Sequence, residues 1–159
     1  MAFTASAIFR EWVAQMFQVS GTTYTGLDSD TVKAALFNNT GTPDKDAAVA
    51  STGYNTGAWV TANEVTGSSE WVAGGRALAS KTFTTPSTGV FMFDAADLTG
   101  VATVTMSGIL GCLVYDDTLT AGTVADQGVS YHWFGGSQSV TAGTFSVIWN
   151  ASGLIRFTV

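Results

Sequence analysis

His132 and Ser130 are the residues of this sequence whose types suit a base and a nucleophile. They lie two apart in Ser130-Tyr131-His132-Trp133-Phe134, so they share one face if that stretch is a strand. No G-x-S-x-G elbow accompanies them, and the expected role of His132 is a surface or interface histidine. Cys112 is the only cysteine, which excludes an internal disulfide and a cysteine-built zinc cage. Three acidic pairs, Asp28/Asp30, Asp44/Asp46 and Asp116/Asp117, offer the hard oxygen ligands that Ca²⁺ prefers. None has the loop spacing of an EF-hand, with its central Gly and terminal Glu, and turn capping explains them better. Separated carboxylates could serve glycoside hydrolysis, but no local motif supports that. There is no phosphate-cradling Gly-rich loop after a strand. The expectation is a chain with no enzymatic activity, no catalytic residue, no metal and no cofactor.

Tryptophan is the other residue type with binding potential, at positions 12, 59, 71, 133 and 149. Trp12, Trp133 and Trp149 have apolar partners in periodic elements and are read as core. Tyr54, Trp59 and Trp71 fall among small residues that look unable to bury them. They are the expected protein-interface residues, since aromatic anchors are enriched where one protein docks on another. Two readings compete with that one. The three rings could fill a second small core under a long loop. Alternatively, they could stack on sugar, as in a carbohydrate-binding or adhesin-like module of a tail or head fibre.

The elements that must position these residues are mostly strands. The 159 residues suit one domain with a sizeable core. Only 11% are charged, against about 25% in an average domain. Thr (24), Ser (14) and Gly (18) take the place of the missing charge, a composition that favours strands and turns. A net charge of −6 and a pI near 4.3 argue against tracking nucleic-acid phosphates. No apolar run approaches the roughly 20 residues that span a bilayer. Arg10 and Glu11 break the only N-terminal apolar stretch, so no signal peptide is expected. The expected partners therefore include neither nucleic acid nor membrane.

Phe9, Trp12, Val13 and Met16 fall at i, i+3, i+4 and i+7, which predicts a helix over residues 4–17 within an N-terminal segment 1–20. Thr31–Phe37 reads as a strand behind the turn Asp28-Ser29-Asp30. Residues 38–75 are weakly patterned and read as an irregular insertion or arm, with a short helix over Ala58–Val65 as one option that points Trp59 and Ala62 inward. From Arg76 onward the pattern alternates. It predicts strands over Arg76–Thr84, Val90–Phe93, Val101–Met106, Ile109–Tyr115 and Gly128–Phe134, with a turn at Gly135-Gly136. Ile109–Tyr115 is apolar throughout and suits a central strand. Thr144–Trp149 and Leu154–Val159 read as arms of an antiparallel hairpin that buries Trp149 and Phe157. Short strands with Gly turns predict a mainly β chain: one domain, an antiparallel sandwich or barrel of about seven to nine strands, plus the N-terminal helix.

Particular runs of residues go further. They are Asp30-Thr31-Val32-Lys33-Ala34-Ala35-Leu36 with Pro43-Asp44, then Asn63-Glu64-Val65 before Gly74-Gly75-Arg76-Ala77-Leu78. Next come Phe93-Asp94-Ala95-Ala96-Asp97, Leu113-Val114-Tyr115-Asp116-Asp117 and the closing run from Gly143 through Trp149-Asn150-Ala151-Ser152-Gly153 to Arg156. In order and spacing the chain resembles the small structural proteins that tailed phages encode with their head genes, the capsid decoration or minor capsid proteins. It departs from that pattern in 1–20 and 50–72, so no attachment detail is carried over. The resemblance implies a non-enzymatic virion component, made in the host cytoplasm and placed on the capsid surface. Its implied partners are the major capsid protein and its own copies. Closed symmetry makes a trimer the expectation, with a dimer next.

Overall fold

A computed structural model describes residues 3–9 and 26–158. Its strands, in chain order, are β1 (Ala7–Ile8), β2 (Val32–Phe37), β3 (Arg76–Ala77), β4 (Thr82–Ser87), β5 (Val90–Asp94), β6 (Val104–Asp116), β7 (Gln127–Gly143) and β8 (Ile155–Thr158). They form two antiparallel sheets, one ordered β1-β7-β6-β2-β3 and the other β4-β5-β8. The chain is thus mainly β, as its alternation and turn residues require. Neither sheet closes into a barrel among the described residues. Helical structure there is confined to 3₁₀ turns of three residues, such as Val49–Ser51 and Gly57–Trp59.

β6 is the central strand of the larger sheet, as its unbroken apolar run Ile109–Tyr115 requires. Residues directly opposite in antiparallel strands share a face, so the register sorts the core. Cys112 and Val114 share one face with Leu36 and Ala34 of β2 and with His132 and Ser130 of β7. Leu113 shares the other with Ala35 and Tyr131. Buried side chains on both faces join one core that also takes in Phe93, Leu98, Val147 and Ile155. Two glycines let aromatic rings lie flat on this sheet. A Cβ at Gly111 would stand 2.2 Å from the His132 carbonyl oxygen and 2.8 Å from the Phe3 ring. At Gly128 it would stand 2.1 Å from the Thr52 carbonyl oxygen and 2.7 Å from the Phe9 ring.

Several sequence expectations are corrected. The predicted N-terminal helix does not hold where its residues are described: the chain there is extended, and Ala7 and Ile8 pair with Tyr131 and Ser130. Phe3 and Phe9 both meet the Tyr131 ring, at 6.1 and 5.4 Å. Six residues apart, they would point to different sides of a helix but share one face of an extended chain. The remainder of that helix, including Trp12, lies outside the described residues. Arg76–Thr84 is not one strand but two, β3 in one sheet and β4 in the other. The turn predicted at Gly135-Gly136 is instead a bulge within β7: between Gly111↔Trp133 and Ile109↔Gln138 the register slips, with Gly135 at φ +79°.

The closing hairpin is also corrected. Asn150 does make the turn, accepting from Gly153 N at 2.8 Å and, through Oδ1, from Ser152 N at 2.8 Å. The two arms, however, take different partners. Val147 bridges to Leu98, while β8 pairs with β5 in the register Met92↔Arg156 and Phe93↔Ile155. Trp149 and Phe157 end half-buried.

Candidate functional site

The Ser–His pair forms as its strand spacing allows. Ser130 Oγ and His132 Nε2 are 3.0 Å apart on one face of β7. They border a hollow of about 180 Å³ between β1 and the Leu154–Arg156 stretch. Burial lowers the imidazole pKa to about 4, which keeps it neutral and makes it a weak base. Its ring packs edge-on against Trp149 at 5.5 Å. Cys112 lies directly across the ladder, its thiol pushed up to about 12 by burial and so protonated. The arrangement packs polar side chains into a half-buried seam.

The expected interface residues occupy other places. Trp59 is 2% exposed and Trp71 1%, so neither indole has surface left to offer a neighbour. Trp59 sits in an aromatic box: Phe37 at 5.1 Å, Tyr131 at 5.7 Å, Phe3 at 5.8 Å and Phe9 at 6.0 Å. The 3₁₀ turn Gly57–Trp59 aims it there, while Ala62, expected to point inward beside it, is exposed. The stretch 38–75 is therefore a cover over one face of the larger sheet. Trp133, read as core, is exposed at 38%. Tyr54 is half-buried, stacked on Tyr115 at 4.9 Å and 11°, and donates to Glu64 Oε2 at 2.7 Å. Burial, and then the bond to Glu64, raise the Tyr54 pKa, and burial raises that of Glu64. The Tyr54 hydroxyl is thereby kept protonated at neutral pH, as its donation to Glu64 requires.

Trp71 anchors a second cluster that sequence reasoning missed. Its Nε1 donates to the Phe145 carbonyl at 3.1 Å, and the Arg76 guanidinium lies 5.2 Å from its ring centroid. Arg76 pairs with Glu70 at 3.3 Å and donates to the Thr99 carbonyl at 3.2 Å. The Glu70 carboxylate accepts from Val101 N at 3.0 Å and Ala102 N at 3.3 Å. Arg76 and Glu70 thus hold segment 99–102 at three residues, Thr99, Val101 and Ala102, and Val101 projects from it 83% exposed. Arg76 sits in one of the resemblance runs, but nothing local marks Glu70 as its partner.

The acidic pairs also sort differently from their sequence order. Asp30 and Asp116 are both buried, and burial, with Asp30 beside it, raises the Asp116 pKa to about 7. Asp117 instead pairs with Lys33 at 2.7 Å, and Asp46 with Lys45 at 2.5 Å. Among the described residues no group of three or more His, Cys, Asp or Glu could hold a metal ion, and no helix there is long and apolar enough to cross a membrane.

Fold and site together define a mainly β chain of two antiparallel sheets, with polar clusters that order its loops. No family model, no curated protein and no solved structure matches it.

Proposed function

We propose that this chain is a virion structural protein of a tailed phage: a capsid decoration protein that binds the outer surface of the major capsid shell, reinforces it, and associates with itself as a trimer. The observation that carries this reading is the set of exposed apolar side chains on backbone held by specific bonds. Val101 leads it on the turn fixed by Glu70 and Arg76, and Ile148, 65% exposed, follows on the adjoining segment. Gly100 N donates to Ser146 Oγ at 2.8 Å and ties the two segments together. Apolar side chains displayed on ordered backbone suit docking, because little freedom remains to be lost on binding. Contacts this small gain strength when many copies engage one lattice. An acidic surface keeps such a protein off packaged nucleic acid. Trp59 and Trp71, expected either to dock a neighbouring protein or to stack on sugar, are enclosed, so neither reading rests on them.

Cryo-electron microscopy or immunogold labelling of the parent particle tests the proposal. Density or label over the head, at symmetric positions on the shell, is the expected result. Label restricted to the tail tip would refute it.

A further inference from the structure

We propose that a hollow of about 350 Å³ between the 3₁₀ turns Val49–Ser51 and Gly122–Val124 is a socket for a lysine side chain presented by a partner protein. The inference stands apart from the capsid reading, since it concerns the chemistry of the partner's side chain and not the partner's identity. Val49, Ala50 and Ala125 line the hollow with small apolar groups that suit a methylene stem. Tyr54 supplies an aromatic wall, held in place by its stacking on Tyr115 and its bond to Glu64. Asp126 supplies the charge. Its backbone is fixed by Asp126 N donating to the Leu119 carbonyl at 2.7 Å and by Tyr54 N donating to the Asp126 carbonyl at 2.9 Å.

No donor among the described residues reaches the Asp126 carboxylate. The nearby cation, Lys33, is engaged by Asp117 at 2.7 Å. The other two lysines are engaged as well: Lys45 bonds Asp46, and Lys81 donates to the Asp30 carbonyl. Burial, and then the charge of Asp117, raise the Asp126 pKa, as expected where a half-buried carboxylate lacks a full counter-charge. An ammonium placed in the hollow would supply it. A single carboxylate fits a compact point charge better than the guanidinium fork, which seeks paired acceptors, and it is too few hard ligands for Ca²⁺. A chain of net charge −6 also favours a basic partner surface.

The test is an NMR titration of the intact chain with N-acetyl-lysine methylamide, using uncharged N-acetyl-norleucine methylamide as control, at constant ionic strength. The lysine compound should shift the amides of Tyr54, Asn55, Ala125 and Asp126 saturably, and the norleucine compound should not. Asp126→Asn should weaken the lysine compound about tenfold or more, the loss of a charge-assisted contact. Asp126 has φ +49°, a conformation Asn also tolerates, so this variant should keep the fold. Ala50→Phe, which fills the hollow from an exposed position, should abolish the shifts and provides an independent check. The proposal is overturned by an absence of saturable shifts, by equal response to both compounds, or by unchanged binding in both variants.

Discussion

Replacing Trp59 by Ala separates a core indole from a docking indole. In the structure the ring meets four aromatic rings at 5.1 to 6.0 Å and is 2% exposed. Truncation of a buried Trp to Ala costs about 3–5 kcal/mol, a range that already includes the loss of such ring contacts. The box cannot close on the void without moving Phe3 and Phe9, whose rings lie against Gly111 and Gly128. A loss of about 4 kcal/mol follows. For a domain of this size each kcal/mol lowers Tm by about 2–4 °C, so a fall of about 8–16 °C is expected. Differential scanning calorimetry measures it, and near-UV circular dichroism should lose aromatic signal in parallel. Trp133→Ala removes an indole that is 38% exposed and should lower Tm by less than half as much. An unchanged Tm for Trp59→Ala, with loss of particle binding, would refute the core assignment and restore Trp59 as an interface residue.

Four further outcomes are expected. Gly128→Ala forces a Cβ to within 2.1 Å of the Thr52 carbonyl oxygen, so the loop must shift, and a loss of at least about 2 kcal/mol should appear in denaturant titration. Burial, with Asp30 beside it, raises the Asp116 pKa to about 7, so its stabilising contribution is complete below the ordinary carboxylate range and is lost as pH rises toward 7. Asp116→Asn, which mimics the protonated form, should therefore gain Tm relative to the parent between pH 4 and pH 7, and a flat difference across that window would contradict the raised Asp116 pKa. His132 has the opposite sign: its pKa is lowered to about 4, so its contribution is present above pH 6.5 and lost on acidification, and His132→Asn should flatten the acid side of the Tm profile. Val101→Asp, at an 83% exposed site, should leave Tm unchanged and weaken attachment to purified particles in a sedimentation assay.

Local pattern made much of the strand content legible. Val32–Phe37 is apolar apart from Lys33, follows an Asp-Ser-Asp turn, and forms β2. Ile109–Tyr115 is apolar on both faces because β6 lies at the centre of the larger sheet, between β7 and β2. Ser130 and His132 were placed on one strand face by their spacing, and there they meet. The period of side-chain direction is a property of the backbone itself, so such features survive in the sequence alone.

Partner choice was not legible. Leu154–Val159 reads as the return arm of a hairpin, yet β8 pairs with β5, about sixty residues earlier in the chain. Trp59 and Trp71 looked exposed because their sequence neighbours are small. The rings that enclose Trp59 come from Phe3, Phe9, Phe37 and Tyr131, and Trp71 packs on Phe145 and Arg76. Asp30 finds Asp116 rather than Asp28 for the same reason: the β2–β6 register sets Val32 opposite Asp116 and so brings their carboxyls together. The sequence by itself determined which segments extend, which residues turn and which strand is buried on both sides, because those depend on neighbours along the chain. Only the tertiary structure decided which aromatics are core, which acids are buried and which apolar side chains stay outside, because burial depends on residues that meet only after distant strands have paired.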